Sequence, residues 1–543
     1  MAPTTTVPVL IVGGSLVGMS TAMLLGHHGV RALVVEHHRG TAIHPRAAQV
    51  TQRTMEIFRT AGLESIIRDR SEEQFVQDGA IIAVETLAGR ELASFIANLN
   101  EGVRDVSPCV RVFISQSLLE PQLKHRAEEL GADLRFATDM VSFEQDVDGV
   151  TATIRQRDTG ETETIRARYM IACDGAHSRV RERLGVGVHG RGVFSHSVTI
   201  YFQADVAPLL RDRNLSVIYV NHPQLRGFIR IEKPFTRGFL AINALGDSSA
   251  PITDVAKGLT NERAIELVQL ALGAPDLPIT IENVMPWDAE ANVADRFRDG
   301  RILIAGDAAH VMPPNGGFGG NTGVQDGHNL AWKLAQVFHG AAAPALLDTY
   351  ETERMPVAHF TVEQAYSRYV LRTAPWLGTD TIEPAVDDLT IELGYEYRSS
   401  AICANDSTLR HRNPREWRGE VGSRAPHVWL DQQEQKSTLD LFGRSFVVIA
   451  GAGAEAWLTA AADVATSLGV ATDVYRVGKG ELEQRGRAVA DAFALEDAGA
   501  MLIRPDGFVG ARFPAATDAL ADRVRAITDA FAAMLGRHRT EPT

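Results

Sequence analysis

Cysteine is scarce in this chain. Its 543 residues include only Cys109, Cys173 and Cys403, and no C-x-x-C pair. Three widely separated thiols form neither a disulfide framework nor a thiolate metal site, and without a C-x-x-C pair no dithiol exchange is available. The sequence therefore predicts a protein of the reducing cytoplasm.

An excess of basic residues and a long uninterrupted hydrophobic run are also missing. Lys and Arg number 54 against 68 Asp and Glu, a formal charge of −14, and the basic residues are scattered, so we expect no nucleic-acid partner. The most apolar N-terminal stretch, Val7 to Leu25, is interrupted by Gly13, Gly14 and Gly18. We expect neither a signal peptide nor a membrane span there.

The residues that are present have the balance of a globular α/β protein. Hydrophobic residues make up 45% of the chain and charged residues 22%. Val7–Val12, Ser15–His28 and Arg31–Val35 have the pattern of a strand, a helix and a second strand. Two later apolar strands, Tyr169–Cys173 and Arg301–Ala305, each precede a Gly and Asp pair. Such runs are typical of parallel strands, whose carboxyl ends bind ligands in open α/β sheets.

The middle of the chain has a different pattern. Val198–Phe202 and Phe228–Ile231 alternate between apolar and polar residues, and a turn is predicted at 221–227 between them. This is typical of antiparallel strands with one face in water. We therefore predict a β-rich substrate domain from residues 74–104 and 186–284. Residues 401–422 are predicted to be a linker, because they are polar and rich in turn-forming residues.

Residues 423–543 are predicted to form a further α/β domain, with strands at 446–450, 473–477 and 500–504 and a final helix over 516–535. The helix carries apolar side chains spaced four and three apart, which form one stripe. These residues are Leu520, Val524, Ile527, Phe531 and Met534. We expect the stripe to pack on its own domain, and a homodimer contact is the alternative.

The turn after the first strand favours dinucleotide binding. Gly13-Gly14-Ser15-Leu16-Val17-Gly18 matches G-x-G-x-x-G except that Ser15 replaces the middle glycine. Gly13 allows the tight turn, Gly18 allows close packing, and the helix N-terminus attracts a pyrophosphate. Glu36, at the end of the second strand, is placed to accept hydrogen bonds from ribose hydroxyls and would repel a 2′-phosphate. FAD or NAD is thus favoured over NADP, and an ordinary solvated glutamate is the alternative.

Four elements in this order resemble the class A FAD-dependent aromatic hydroxylases, which are similar to para-hydroxybenzoate hydroxylase. They are Gly13–Gly18 with Glu36, Pro45-Arg46-Ala47, Asp174-Gly-Ala-His-Ser-Arg-Val-Arg181, and Gly306-Asp-Ala-Ala-His310 followed by the loop Pro313–Asn321. Tyr350–Arg354 and Tyr395–Arg398 are similar to segments of the larger members, which hydroxylate polyketides such as aklavinone and angucyclinones. The resemblance implies that residues 1–73, 105–185 and 285–400 form a Rossmann-like (GR2-type) FAD-binding domain. It also implies that residues 423–543 form a thioredoxin-like domain.

The resemblance also implies roles for single residues. Asp307 would contact the ribityl chain of FAD, Arg46 and Gln116 would lie along the flavin and its phosphate arm, and Asp174 would support the site. The loop residues expected against the isoalloxazine are Pro314, Gly317, Gly319, Gly320 and Asn321. Catalysis would be centred on the flavin, with Arg46 as a candidate catalytic residue.

Each of these residues also has a structural alternative. Asp307 could be a helix N-cap, Arg46 a surface arginine, and Asp174 part of a common Asp-Gly turn. His310 could serve helix packing or proton transfer. Adjacent His37 and His38 would point to opposite faces of a strand, so we expect no metal site.

The implied reaction is a monooxygenation. In the family, NADPH or NADH binds transiently and reduces FAD, O₂ forms a C4a-hydroperoxide on the flavin, and an aromatic ring is hydroxylated. A polycyclic polyketide is the favoured substrate. The alternatives are a simple phenol hydroxylase, an antibiotic-inactivating monooxygenase and a non-catalytic flavin-binding component of a biosynthetic complex. The W-x-W-x-I-P segment of flavin halogenases does not occur in the sequence.

Overall fold

The computed structural model describes residues 4–44, 49–247, 249–403, 410–515 and 519–537. Arg46 and the predicted Pro45–Ala47 motif lie outside these residues. The fold is mixed α/β, with three β-sheets. The strands are β1 (Thr4–Val12), β2 (Ala32–Val35), β3 (Ala80–Val84), β4 (Glu91–Ile96), β5 (Asp133–Arg135), β6 (Thr138–Gln145), β7 (Val150–Gln156), β8 (Thr162–Ala172), β9 (Val188–Gln203), β10 (Leu215–His222), β11 (Leu225–Glu232), β12 (Arg237–Leu245), β13 (Thr280–Ala294), β14 (Arg298–Asp299), β15 (Ile302–Ile304), β16 (His310–Val311), β17 (Phe446–Ala450), β18 (Thr472–Arg476), β19 (Ala500–Ile503) and β20 (Val509–Phe513).

The α-helices of the described residues pack on these sheets. They are α1 (Leu16–His27), α2 (Gln52–Thr60), α3 (Glu64–Gln74), α4 (Gln116–Glu129), α5 (Arg179–Arg183), α6 (Ala207–Leu210), α7 (Asn261–Leu272), α8 (Gly319–Phe338), α9 (Asp348–Arg372), α10 (Asp388–Leu393), α11 (Glu455–Leu468), α12 (Gly486–Ala492) and α13 (Leu520–Met534). Among the helices that the structure describes, none combines the length and the apolar character needed to cross a bilayer.

The first sheet has the strand order β14-β15-β8-β1-β2-β5, and β6 and β7 extend it from β8. Strands β15, β8, β1, β2 and β5 run parallel, as the apolar runs in the sequence predict. Strands β2 and β15 are buried along their whole length and β1 and β8 over their last four residues, whereas Asp133 of the edge strand β5 is exposed. Because these strands are parallel, the residues that follow β1, β2, β8 and β15 all lie at one edge of the sheet.

The second sheet has the order β16-β13-β9-β12-β11-β10-β3-β4 and is antiparallel except for the β10 and β3 pair. One face packs against α7 through alternate side chains such as Ile200, Ile218 and Leu240. The predicted turn at 221–227 is wrong in extent, because Val220 pairs with Gly227 and His222 with Leu225. Cross-strand pairing therefore continues through most of that polar segment and leaves a two-residue connection.

The third sheet has the order β18-β17-β19-β20, with β17 and β18 parallel and the other pairs antiparallel. The predicted strand Phe446–Ala450 is confirmed, whereas β20 was not predicted. Helix α13 begins at Leu520, later than predicted, and residues 516–518 lie outside the described part of the chain. Its Ile527, Phe531 and Met534 are buried in the core, while Leu520 is exposed, so most of the apolar stripe packs on its own chain as expected.

Candidate active site

The edge formed by the carboxyl ends of the first sheet brings most of the predicted site residues together. Gly13 follows β1, Glu36 follows β2, Asp174 lies two residues after β8, and Asp307 lies three residues after β15. Since these strands are neighbours, the glycine turn, the acidic strand end and both Asp motifs share one edge. A ligand that reaches all of them must be extended.

The glycine turn is shaped by close backbone contacts. Gly13 has a φ of +100°, and a Cβ there would overlap the carbonyl oxygen of Cys173. A Cβ on Gly18 would overlap the carbonyl oxygen of Gly13. Helix α1 starts directly after the turn, with no side-chain cap and no acidic residue in its first turn. Its first amide groups are therefore available to a phosphate.

Ser15 lies in a cluster with a carboxylate that the sequence analysis did not single out. The Ser15 hydroxyl donates to Glu120 at 2.5 Å, and Gln116 Nε2 donates to Ser15 Oγ and to Glu120, both at 2.6 Å. The second oxygen of Glu120 accepts a hydrogen bond from the Ala42 amide at 2.6 Å. Ser15 and Gln116 are thus neighbours. Glu120 could have been found from its position one helical turn after Gln116.

Glu36 is buried at the end of β2 and is held on both oxygens. One oxygen accepts the Gly14 amide at 2.7 Å, and the other accepts the His38 amide at 2.7 Å and lies 2.6 Å from His38 Nδ1. His37 instead contacts Asp139 at 2.6 Å. The two adjacent histidines therefore contact different carboxylates, and Glu36 is fixed against the glycine turn.

A second helix N-terminus lies beside that of α1. A Cβ on Gly320 would lie 2.7 Å from the side chain of Leu16, and Cβ atoms on Gly323 and Gly327 would meet Val17 and Thr21. Glycines on one face of α8 therefore allow it to pack closely on α1. The N-terminus of α8 has no side-chain cap hydrogen bond either, so two uncapped helix ends converge on the same edge.

The loop that leads into α8, Pro313–Asn321, is called the glycine loop here, and it is fixed by Asn321. Its Oδ1 accepts the Thr51 amide at 2.9 Å, and its Nδ2 donates to the carbonyls of Gln49 at 2.9 Å and Gly317 at 2.7 Å. Gly317 has a φ of +68° and donates its amide to the exposed Pro314 at 3.0 Å. Asn321 is thus a scaffold of the loop, and Gly319 and Gly320 begin the adjoining helix.

Asp307 lies exposed in a three-residue 3-10 turn, Gly306–Ala308. Ala305 occupies the N-cap position of this turn, so the alternative that Asp307 is a helix N-cap is wrong. Arg181 donates to the Ala308 carbonyl at 2.8 Å and to the Ala176 carbonyl at 2.9 Å. The two Asp-containing motifs are therefore joined through Arg181.

Asp174 bonds mainly within its own turn. It accepts hydrogen bonds from the Ser178 hydroxyl at 2.5 Å and from the Val180 amide at 3.1 Å. Burial raises the pKa of Asp174 above its ordinary value, and these hydrogen bonds oppose the rise. These contacts give Asp174 a structural role in its turn, which agrees with the alternative that it is part of a common Asp-Gly turn. Its contact with a flavin stays a prediction.

The face of the second sheet opposite α7 carries a row of aromatic rings. Tyr201, Phe239, Phe228 and Tyr219 follow one another at centroid distances of 5.9, 6.0 and 6.1 Å. Phe95 extends the row beyond Tyr219 at 5.8 Å. The glycine loop reaches this face where Asn315 Nδ2, which is buried, lies 3.4 Å from the Tyr219 hydroxyl and 3.3 Å from Thr373 Oγ1.

Comparison with known proteins supplies the family. Residues 6–365 match the FAD binding domain family, and residues 418–537 match the family described as aromatic-ring hydroxylase, C-terminal. The chain belongs to the FAD-dependent aromatic-ring hydroxylases.

Relatives of this hydroxylase cover almost its whole length. It is 50% identical to 4-methyl-5-nitrocatechol 5-monooxygenase of Burkholderia sp over 98% of both chains. It is 39% identical to tetracenomycin B2 monooxygenase-dioxygenase of Streptomyces olivaceus, over 96% of this chain and 97% of that one. The structure of aklavinone-11 hydroxylase with FAD and aklavinone matches with a TM-score of 0.90 and 35% identity, over 99% of this chain and all of the other.

The hydroxylase is therefore an FAD-dependent aromatic monooxygenase, as the sequence predicts. The residues at the sheet edge fit FAD. Two uncapped helix N-termini suit a pyrophosphate, and the Glu36 carboxylate suits a ribose. The close contacts at Gly13 and Gly18 hold the turn in the shape that such a ligand needs.

One further cation lies beside the aromatic row. The guanidinium of Arg372, the last residue of α9, lies 5.1 Å from the Phe95 ring and 5.8 Å from the Tyr219 ring. Within the described residues Arg372 has no carboxylate partner at ion-pair distance. Sequence reasoning missed Arg372, Tyr219 and Asn315. Period-two alternation in β9 to β12 could have found the tyrosine, but nothing in the sequence places Arg372 or Asn315 against that face.

Proposed function

We propose that the hydroxylase adds one oxygen atom of O₂ to the ring of a polycyclic phenol such as an aromatic polyketide, with NADPH or NADH as the reductant. The overall reaction converts ArH, O₂, NAD(P)H and H⁺ into ArOH, NAD(P)⁺ and H₂O. Bound FAD supplies the electron transfer and the activation of O₂. The observation that carries the proposal is the row of aromatic rings, which the glycine loop reaches at Tyr219 and which extends over several strands.

The residues proposed to hold FAD are those at the edge of the first sheet. The first turn of α1 and Ser15 would bind the pyrophosphate, Glu36 the adenosine ribose and Asp307 the ribityl chain. Gln116 would lie beside the phosphates. Loop residues would contact the isoalloxazine, through backbone N–H groups except at Pro314, which has none. They are Pro314, Gly317, Gly319, Gly320 and Asn321.

Arg372 and Tyr219 are proposed to bind the phenolic oxygen of the substrate. A guanidinium beside a phenol favours the ionised form and so lowers the phenol pKa. A phenolate ring is more electron-rich and more easily attacked by an electrophilic oxygen. Asn315, which contacts Tyr219, would place this anchor next to the flavin loop. The aromatic rings exclude water from the reacting ring.

A cavity of about 620 Å³ lies at the Phe95 end of the aromatic row. Its wall includes Phe95, Leu99, Leu371, Arg372 and Val386. Pockets of about 300 to 1,000 Å³ are typical for ligands of several fused rings. We propose that this cavity, which shares Arg372 with the phenol anchor, receives part of the substrate.

A single-ring catechol is the second candidate substrate. The observation that favours it is the 50% identity to the 4-methyl-5-nitrocatechol monooxygenase, which exceeds the identity to the tetracenomycin enzyme.

The deciding experiment measures NADPH and NADH oxidation with O₂ uptake and product mass. Tetracyclic phenols such as aklavinone are compared with 4-methyl-5-nitrocatechol at equal concentration. We expect the tetracyclic phenol to stimulate oxidation and to gain one oxygen atom. Coupled turnover of the catechol alone would replace the polycyclic proposal, and stimulation without product would reject both substrates.

The finer architecture is also proposed. The first sheet with α1, α8 and α9 would be the Rossmann-like FAD-binding domain, and the second sheet the substrate domain. The third sheet, with parallel β17 and β18 and antiparallel β19 and β20, supports a thioredoxin-like domain. Three free cysteines among the described residues support a cytoplasmic protein. A homodimer stays a prediction that measurement of the mass in solution would test.

A further inference from the structure

A buried carboxylate lies directly behind the Asp307 turn. Asp326 of α8 is fully buried, and its Oδ2 accepts hydrogen bonds from two residues that flank Asp307. These are the Gly306 amide at 3.1 Å and His310 Nε2 at 2.7 Å. A single carboxylate oxygen therefore holds both ends of the five-residue segment 306–310, in which Asp307 is exposed.

The other oxygen of Asp326 pairs with a buried arginine. Arg354 Nε donates to Asp326 Oδ1 at 2.7 Å, and a second guanidinium nitrogen donates to the Thr322 carbonyl at 3.1 Å. Thr322 directly follows Asn321, the scaffold residue of the glycine loop. The Asp326 and Arg354 ion pair thus contacts both segments that are proposed to meet the flavin.

The electrostatics of this pair are those of a fixed charge pair. Burial opposes ionisation of Asp326, but His310 and Arg354 hold its pKa below the ordinary value of an aspartate. A buried ion pair adds little net stability, because desolvation offsets the attraction, and apolar side chains often replace such pairs without loss. A pair whose remaining hydrogen bonds include the Gly306 amide, the His310 side chain and the Thr322 carbonyl, all in or next to the two site segments, is better explained by orientation than by stability.

The pair is also connected to the third sheet. Arg354 donates to the Tyr397 hydroxyl at 3.2 Å, and the Tyr397 ring stacks on Phe508 with centroids 4.1 Å apart. Phe508 immediately precedes β20. The segments Tyr350–Arg354 and Tyr395–Arg398, which sequence analysis noted without a function, therefore meet at this pair.

We propose that Asp326 and Arg354 form a positioning pair for the flavin, which fixes the Asp307 turn and the end of the glycine loop in one geometry. The proposal rests on the proposed contact of Asp307 with FAD. Neither residue touches the cofactor in this scheme, and both act through the backbone of the two segments.

The test is the affinity of apo-protein for FAD, measured by quenching of FAD fluorescence well below the unfolding temperature. Loss of a residue that orients ligand-binding groups typically weakens binding about 10- to 100-fold, and we expect such a rise in Kd for Asp326→Asn. The matched control is Glu353→Gln. Glu353 is as buried as Asp326 and pairs with Lys333 and Arg504, but it makes no hydrogen bond or ion pair with residues 306–321, all of which the structure describes. It should lower the Tm of the apo-protein similarly and leave the FAD Kd within about twofold of wild type.

A double-mutant cycle tells whether Asp326 acts through Asp307. Residues that act as one unit give non-additive effects, so Asp326→Asn should add little to Asp307→Ala. Wild-type FAD affinity of Asp326→Asn, together with weakened binding by Asp307→Ala, would overturn the positioning role. Wild-type affinity of Asp307→Ala would instead reject the proposed contact between Asp307 and FAD.

A milder variant keeps the proposal testable if Asp326→Asn fails to fold. Tyr397→Phe removes only the hydroxyl that accepts from Arg354 and leaves the ring on Phe508. We expect a rise of about threefold in the FAD Kd with little change in the Tm of the apo-protein, since one hydrogen bond is lost. An unchanged Kd in Tyr397→Phe would count against the positioning role of Arg354.

Discussion

The edge of the first sheet and the aromatic face of the second sheet, which is the face opposite α7, are built on different principles. At the edge, backbone conformation determines the site: a left-handed Gly13, the overlap that a Cβ on Gly18 would cause, and two uncapped helix ends. On the aromatic face, ordinary strands carry the site through alternate side chains such as Tyr201 and Tyr219. The first region can accept few substitutions, whereas the second can change its side chains without changing its backbone.

This difference accounts for how one family combines a common cofactor with varied substrates. Relatives named for a methylnitrocatechol and for tetracenomycin B2 match the chain over almost all of its length. A backbone-defined edge is suited to a constant FAD, and a side-chain-defined face is suited to variable rings. Substitutions in the two regions should therefore separate FAD affinity from substrate affinity.

The largest expected effect is at the edge. Gly18→Ala places a Cβ on the carbonyl oxygen of Gly13, so the glycine turn and the start of α1 must move apart. We expect loss of FAD binding by at least about 100-fold, or failure to fold, because backbone overlap cannot be relieved by a side-chain rotation. Flavin absorbance of the purified protein and its unfolding temperature measure the two outcomes.

Gly40→Ala is the matched control for that variant. A Cβ on Gly40 meets no atom within 4 Å, and the residue is exposed, so its FAD content should equal that of wild type. A yellow, stable Gly18→Ala protein would show that the edge is not defined by its backbone, and the comparison between the two regions would fail.

The next largest effect is expected on the aromatic face of the second sheet. Arg372→Met removes the charge beside Tyr219 and keeps much of the side-chain volume. We expect KM for a phenolic substrate to rise about tenfold, within the range for loss of a charged hydrogen bond, with an unchanged FAD Kd. Because Arg372 is proposed to lower the pKa of the bound phenol, the acid limb of the pH profile for kcat, which reports groups in the enzyme–substrate complex, should move to higher pH in this variant.

Arg372→Lys is the companion variant. It retains the charge but not the planar guanidinium over two rings, so it should restore most of the pH profile and only part of the KM. An unchanged pH profile in Arg372→Met would show that Arg372 does not affect ionisation of the substrate. A raised FAD Kd in that variant would show that Arg372 contributes to FAD binding at the edge of the first sheet.

The same contrast explains what could be predicted from the sequence. Glycine spacing, the Glu36 strand end and apolar strands follow local rules, so the parallel sheet and the group of residues at its edge could be predicted. Asp326 and Arg372 could not, because each contributes through residues distant in sequence. Asp326, for example, is 20 residues from Gly306 and 28 from Arg354 along the chain.

Errors in the predicted elements have the same origin. The segment 221–227 contains turn-forming residues, but pairing of Val220 with Gly227 across the sheet extends both strands through it. Strand β20 was missed because its pairing with β19 becomes evident only in the assembled sheet. Asp174 was placed correctly at the sheet edge, but its carboxylate bonds inside its own turn.

The smallest effect is expected for a hydroxyl group on the aromatic face. Tyr219→Phe removes the hydroxyl near Asn315 and leaves the ring between Phe228 and Phe95. Because the Asn315 contact is long, at 3.4 Å, the fold should lose little stability, about 0.5 kcal/mol, while kcat/KM for a phenolic substrate should fall about three- to tenfold. Steady-state kinetics and thermal unfolding of the same preparation give both numbers. Phe228→Leu, one position along the row, is the control that alters packing but removes no hydroxyl. Equal losses of kcat/KM in the two variants would mean that the row acts by shape alone and that the Tyr219 hydroxyl binds no substrate oxygen.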